Sequence, residues 1–510
     1  MKKRIIALTL ILVMLAALAA CSGEEEKGSK SLENTEITVA ITSHPNWPYN
    51  EDWLSWKYVK EATGANINLL TFPLTEFATK LSLMIATPEN IPDLVSLDYV
   101  TSDAKKMQVQ GAILPIDDYI KFMPNYKKFW DSVPKDVEES LVVPRKLDDG
   151  KVYASPVYGR HETINLKSWL YRKDLFEKHN IKIPETMDEL YAAAKQLKSI
   201  YPDSYPIGIR NFFGVGADVI GPEWKKYFST GAYYDFDNEK WCYGAREDTM
   251  LDMIKFFIKL DKEKLIVPNY VNIQGGEFSE LVYSNKIFIF PQYQVQIDIL
   301  NNRCRPSNPE FTMAAMAPPV ANKETGHSKL AKQNVDPCGY VVCNTKDNKR
   351  IENTFRFLDW FYSDEACQLL SWGKEGETYE VVDGEKKFIL GDGENVQTRY
   401  GFQTNSLIVR IEPEAVAAGF SKEQKESTEF ILKNTEKEYN PANWIAFTDE
   451  EQKVLEEKGT ELSVYSQEMI SKFLLGKEPL SKWDEFVSSI DKMGVDKLLA
   501  VYETAYNRVK

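Results

Sequence analysis

Two hydrophobic periods alternate along the chain once past residue 35. "EITVAIT" (36–42) alternates as a strand, "EDWLSWKYVKEATG" (51–64) has helical spacing and closes at Gly64, and "ANINLLTF" (65–72) returns to strand. "EFATKLSLMIATP" (76–88) is helical up to Pro88, and "DLVSLD" (93–98) is a strand again. Such βαβα alternation predicts an α/β sheet with helices on its faces. A second run opens near "YRKDLFEKHN" (171–180). In "ETMDELYAAAKQLKSIYP" (185–202) Thr186 and Glu189 have capping-box spacing, and Leu190, Ala194 and Leu197 line one face. "TMLDMIKFFIKLDKEKLI" (249–266) is amphipathic, "NKIFIFP" (285–291) is a buried strand, and "IENTFRFLDWFYSDEACQLLSWG" (351–373) is a helix pair divided at Ser363-Asp364. Its stripe of Phe355, Leu358, Trp360, Phe361 and Tyr362 wraps the helix too fully for a binding face and reads as core. The last eighty or so residues turn wholly helical, with Thr448 and Glu451 as a second capping box, Leu455, Leu462, Tyr465, Met469 and Phe473 at helical spacing, and two more helices around Gly494.

The first residues follow another logic. Lys2, Lys3 and Arg4 precede an apolar run, Ile5 to Ala20, that is too short to span a bilayer and ends in Leu18-Ala19-Ala20-Cys21. This is the layout of an export signal, and it resembles a bacterial lipobox, which implies that residues 1–20 are removed and Cys21 is acylated. "SGEEEKGSKSLENT" is charged and free of aromatics, so 21–35 is expected to be an acylated cysteine with a flexible tether, holding the body at the outer face of the cell membrane.

Beyond the tether roughly 475 residues remain, more than one core usually organises, so two lobes are expected. The formal charge is −14, and about −17 once Lys2, Lys3 and Arg4 are gone, which argues against nucleic acid or other polyanions held by charge. Five cysteines follow Cys21, an odd number without a tight framework. Cys338 and Cys343 in "CGYVVC" have odd strand spacing and face opposite sides, so little dependence on disulfides is expected. The four histidines, His44, His161, His179 and His327, have no zinc spacing, and no P-loop, dinucleotide fingerprint, nucleophile elbow or calcium loop occurs. "GDGENVQ" near Asp392 reads as a hairpin turn. No motif points to catalysis, a cofactor or a metal.

Several segments in order carry a resemblance: "WKYVKEATGANI", "IPDLV", "GAILPIDDYI", "DGKVYASP", "WLYRKDLFEKHNIKIPETMDELYAAAKQLK" and "CGYVVCNTKDNKRIENTFRFLDWFYSDEACQLLSWGKEGETYE". Together they are similar to extracellular solute-binding proteins (family 1) of bacterial ABC sugar importers. The closing "MISKFLLGKEPLSKWDEFVSSIDKMGVDKLLAVYETAYNRV" resembles the LplA-type lipoprotein branch. The resemblance implies a periplasmic-binding-protein-like (class II) clamp of two discontinuous lobes, crossed near "SPVYGRHE", "AAMAPPV" and "SWGKEG". Lobe 1 would be 37–157 plus 318–370, lobe 2 158–317 plus 371–475, and 476–510 a helical C-terminal cap. A monomer would capture an oligosaccharide by lobe closure and pass it to a permease. The segment "KSIYPDSYPIGIR" lacks the calcium loop that related alginate-binding proteins carry there, so no metal is expected at that point.

Sugar recognition requires flat apolar surface for C–H faces and planar polar groups for hydroxyl pairs. Trp47 follows the first strand on a loop that faces the cleft of an open α/β sheet, whereas Trp53 and Trp56 fall on the next helix and read as core. Tyr158, Arg160, His161 and Glu162 lie at the first crossing, and Asn211 and Phe213 on a glycine-rich loop after a strand. Gln292 and Tyr293 close "KIFIF", Trp372 and Glu375 sit at the third crossing in the family's Gly-x-Glu-Gly pattern, and Trp444 lies on a late loop. Three other readings remain open at this level: the same scaffold binding a peptide or other polar solute; a secreted carbohydrate-active enzyme, which would show a catalytic carboxylate pair at fixed separation in its cleft; and a sensor that presents its ligand to a receptor kinase instead of a permease.

Overall fold

The computed structural model describes residues 32–508 apart from 87–90, 99, 148, 160–165, 217–229, 237, 274, 322–328, 332–337, 392–393, 439–444 and 446. Eight strands form its two main sheets: β1 Glu36–Ser43, β2 Asn66–Pro73, β3 Leu94–Leu97, β4 Ile113–Leu114, β5 Lys167–Arg172, β6 Ile289–Tyr293, β7 Met313–Met316 and β8 Gly339–Cys343.

The first sheet runs β2-β1-β3-β8-β4. β1 is parallel to β2 and β3, with Val39 opposite Leu94, while β8 is antiparallel to both β3 and β4. β1, β3 and β8, the strands inside the sheet, are near-continuous buried runs, whereas the edge strand β2 has no buried residue. The helix Leu54–Thr63 ends as expected at Gly64, whose φ of 70° is the left-handed cap. The helix Asn348–Trp360, opened by an Asp347 side chain that accepts from the Lys349 and Arg350 amides, lays Phe355, Phe357 and Leu358 into the core. The aromatic stripe of this helix pair is therefore core.

The second sheet runs β6-β5-β7, all antiparallel, and 207–209 extends it: Ile207 bridges in parallel to both Ile266 and Ile289. Gly208 is required there, since a Cβ would meet Ile287 at 2.6 Å and Phe278 at 2.8 Å. One cluster joins Trp169, Leu190, Phe257 and Phe288 to Leu462, Phe473, Phe486 and Leu498. The helices Thr460–Leu474, Trp483–Lys492 and Val495–Asn507 thus complete the second core, where the sequence suggests that 476–510 stands apart as a cap. Amphipathic helices of this kind must bury their stripe somewhere, and the second sheet is the partner here.

Packing also shifts three expected boundaries. Leu32 is only 2 % exposed and belongs to the first cluster, so the body begins before residue 35. The segment 372–418 is expected in lobe 2, yet Val396, Leu407, Val409 and Val416 are buried with Tyr58, Ile41 and other residues of the first sheet's layer. The third passage between the two bodies therefore falls at 419–421, between helix Pro413–Ala418 and helix Lys422–Asn434, not at "SWGKEG". Ser421 is fastened to the second body by its amide and hydroxyl, which both donate to Asp298. A hairpin does occur nearby, Tyr379–Val382/Glu385–Phe388 turning at Asp383-Gly384, while at "GDGENVQ" the Glu394 amide donates to the Gly391 carbonyl at 3.1 Å and Asn395 caps the helix Val396–Tyr400 that follows. Asp392 lies outside the described residues, as does Cys21. The five cysteines from Cys242 to Cys367 are buried free thiols.

Candidate functional site

The chain leaves and enters each sheet at one edge, and that edge identifies the cleft. Ala154 bridges to Val341 and the Ser155 amide donates to Tyr340, so the first crossing departs along the start of β8. It arrives at Lys167, opposite Tyr293 at the end of β6. The second crossing departs from Met316 at the end of β7, which leads away from the same edge, and returns at Gly339. Both bodies therefore turn toward each other the edge that holds the C-terminal ends of their parallel strands, where α/β sheets bind ligands.

On the first body this edge carries the loop after β1. Trp47 donates its amide to the His44 carbonyl, the Tyr49 amide donates to Ser43 Oγ, and the Asn46 amide donates to His44 Nδ1. The turn stacks the Trp47 indole on the His44 imidazole, 4.1 Å between centroids and 15° from parallel, and leaves the indole half-buried. Trp53 and Trp56 are buried, as expected for core. Burial, with the Glu51 carboxylate nearby, pushes the Tyr49 hydroxyl above its ordinary range and keeps it a donor.

Directly after β3 stands Asp98, which is not among the residues expected at the cleft. It is 7 % exposed, and its Oδ1 accepts from Asn405 Nδ2 at 2.8 Å. Around it, Gln403, Thr404 and Ser406 are all buried, and Tyr340 donates its hydroxyl to the Ser406 carbonyl. A buried carboxylate with its orienting amide at a cleft edge is suited to accept paired hydroxyls. The available signals were the acid that ends the buried run "DLVSLD" and the polar run "QTNS" in an otherwise apolar stretch.

On the second body Asn211 follows the 207–209 strand, exposed and at φ 50°, a conformation that asparagine tolerates better than most residues. Phe213 is half-buried and packs edge-on against the fully buried Phe212, 5.2 Å away. Tyr293 is half-buried at the end of β6, with the Lys167 ammonium 5.0 Å from its ring centre. Gln292 is buried and spends its Oε1 on the Tyr293 amide, so it supports the tyrosine's backbone. Ile207 bridges in parallel to Ile289, so the 207–209 strand ends toward the same edge as β6, and Asn211 opens the helical turn Asn211–Gly216 that follows it.

Tyr158 sits where the first crossing begins. Its amide donates to the Val409 carbonyl, its carbonyl accepts from the Ile411 amide, and its ring meets Phe129 edge-on at 5.2 Å. The next residue, Gly159, has φ 97°, and a Cβ there would lie 1.8 Å from the Ile411 oxygen. The first crossing is thus zipped to the strand that leads into the third. Arg160, His161, Glu162 and Trp444 lie outside the described residues.

Two expected residues are removed from this edge by their packing. Trp372 is 4 % exposed, donates Nε1 to Glu412 at 2.6 Å and stacks on Phe388 at 5.0 Å. Glu375 is exposed on the turn before Tyr379. Both belong to the body of the first lobe, because the crossing inferred for them occurs some forty-five residues later, at 419–421. Among the described residues no group of three or more His, Cys, Asp or Glu could hold a metal ion, and no helix is long and apolar enough to cross a membrane.

Comparison with known proteins agrees with this architecture. The family described as bacterial extracellular solute-binding protein matches residues 50–366, more than half of the chain. The polygalacturonan/rhamnogalacturonan-binding protein YtcQ of Bacillus subtilis (strain 168) is 22 % identical over 538 residues, spanning 100 % of this chain and 99 % of its own. Lipoprotein LipO of the same organism is 23 % identical over 397 residues, 75 % of each chain. Among solved structures, the S. pneumoniae ABC-transporter substrate binding protein FusA in complex with kestose superposes with a TM-score of 0.74 at 17 % identity, covering 93 % of this chain and 99 % of that one. The alginate-binding protein AlgQ2 without calcium ion gives 0.73 at 19 %, covering 94 % and 100 %. Likeness at these identities establishes the two-lobed α/β fold.

Proposed function

The chain belongs to the bacterial extracellular solute-binding protein family, and from that premise we propose that it captures an oligosaccharide between its lobes and delivers it to the permease of an ABC importer. The observation that carries the reading is the pair of facing sheet edges, one with Trp47 and Asp98, the other with Asn211, Phe213 and Tyr293. An indole backed by imidazole offers its other face to a pyranose ring, and the carboxylate and amides take hydroxyl pairs. Tyr158 and the undescribed Arg160, His161 and Glu162 would contact the sugar from the crossing, and Trp444 from the late loop; Gln292 acts through Tyr293. The carbohydrate names borne by YtcQ and FusA support this ligand class.

The protein works by binding alone, as a monomer. Ligand favours the closed form only by its differential affinity for closed over open, and closure about the three crossings is the change that the permease reads. The lipobox-like Leu18-Ala19-Ala20-Cys21 would hold it at the extracellular face of the cell membrane, a reading supported by the relative named lipoprotein LipO.

A thermal-shift screen of residues 22–510 against oligosaccharides, polysaccharide fragments and short peptides tests the proposal. A ligand that binds only the folded state stabilises it by about 2.7 kcal/mol at a hundredfold over its Kd. A saturable shift with an oligosaccharide that is recovered unchanged is expected. A shift with peptides alone would overturn the ligand class, and a consumed glycan would make the protein an enzyme.

A further inference from the structure

The loop that carries Trp47 does not end at the cleft. Pro48, Tyr49 and Asn50 run on into an open depression of about 610 Å³, which shares Asn50, Asp52 and Thr398 with a longer groove of about 960 Å³. The floor of that groove is apolar: Leu54, Ile389, Leu390 and Tyr400, with Ile389 40 % exposed. Its rim is polar. The Tyr400 ring is held by its hydroxyl, which donates to the Ile389 carbonyl, and the loop is pinned by Trp53, whose indole N–H donates to the Thr398 carbonyl at 3.1 Å. Apolar side chains set among hydrogen-bonding groups are the lining that a sugar requires, and here they begin with the residues that follow Trp47.

We propose that this groove is an accessory subsite that holds the overhanging units of the same glycan whose end lies in the cleft, and that the chain it takes is uncharged. The inference rests on the oligosaccharide reading above and adds length and charge to it. The charge follows from the rim. Among the described residues that line the two depressions, Glu51, Asp52, Glu377 and Glu394 outnumber the single cation Arg399, which stands 3.7 Å from Glu394. Lys374, which stands over the Tyr58 ring beside Glu377, is paired with Glu61 at 2.8 Å. A uronate chain would bring one carboxylate per unit against this rim, on a protein of net charge −14, whereas neutral hydroxyls meet acceptors.

Isothermal titration calorimetry on residues 22–510 tests the proposal with three probe series: β-1,4-galacto-oligosaccharides, fructo-oligosaccharides and oligogalacturonates, each as di- or trisaccharide and as hexa- to octasaccharide. The long form of a neutral series is expected to bind about tenfold more tightly than its short form. That gain should vanish in the Ile389→Ala/Arg399→Ala protein, whose altered side chains are exposed, while short-chain affinity stays unchanged. Hydrogen exchange on the unmutated protein is an independent arm, with protection at 48–52, 389–391 and 398–400 expected from the long chain but not the short one. Length-independent affinity, a gain that survives the double substitution, protection confined to the cleft loops, or an equal gain with oligogalacturonates each overturns the groove and leaves the importer reading intact. No binding by any series would overturn the oligosaccharide reading and the groove with it.

Discussion

Trp47 and Trp372 make the most instructive comparison in the molecule. Both are candidate sugar platforms in the sequence, Trp47 from its loop after the first strand and Trp372 from its place beside the crossing that the family resemblance implies. Trp47 ends half-buried on a loop, its ring stacked on an imidazole. Trp372 ends in a core, its N–H donated to Glu412, with Phe388 against one face. What separates them is the element before. Trp47 follows a parallel strand, whose C-terminal edge must stay accessible where the two bodies face each other. Trp372 closes the helix Asp364–Ser371, whose buried stripe carries the residue after it into the same layer. Indole chemistry is common to both; topology sets how far each is buried.

The largest effect that would test this contrast is on stability. Trp372→Ala removes a fully packed indole and leaves the Glu412 carboxylate without its donor, so a loss of about 3–5 kcal/mol is expected, read as a lowered midpoint in chemical denaturation. Ligand affinity measured well below that midpoint should not change. If stability held and affinity fell, Trp372 would be a ligand residue and its placement in the core would be wrong.

Trp47→Ala should do the reverse. The ring is only partly buried, so the denaturation midpoint is expected to move little, while glycan affinity falls by about tenfold or more, roughly 1.4 kcal/mol or above. Intrinsic tryptophan fluorescence on titration offers a second readout, because the quench or shift caused by sugar should shrink in the Trp47→Ala protein. Equal loss in both quantities would make Trp47 a packed anchor of its loop.

The α/β alternation, the capping residues Thr186 and Thr448, and the aromatic stripe around Phe355 were legible because periodicity and capping act within one turn or one strand. Thr186 accepts from the Glu189 amide and Thr448 forms the full reciprocal box with Glu451. The strand-end loops were legible too, since a strand followed by Pro or Gly ends at an edge. What stayed hidden was long-range. No local pattern says that 372–418 packs on the first sheet, or that the last three helices close the second core. Asp98 was hidden for a related reason: its partner Asn405 lies 307 residues away, so neither residue marks the other.

The smallest expected effect is the one that bears on the third crossing. Sequence likeness puts Glu375 at a hinge beside the cleft, in the run Gly373-Lys374-Glu375-Gly376, whereas packing puts the passage at 419–421 and leaves Glu375 on an exposed turn of the first body. A surface residue away from caps, cores and networks changes stability by no more than about 0.5 kcal/mol when truncated. Glu375→Ala should accordingly leave both the denaturation midpoint and the glycan affinity where they were. Gly373 and Gly376, at φ 80° and 78°, account for the shape of the turn without the glutamate, because both occupy the left-handed region that glycine enters freely. A glycan affinity that fell with Glu375 while stability held would return this turn to the cleft, and would mean that the lobes close about "SWGKEG" instead of about Ser421 and its bonds to Asp298.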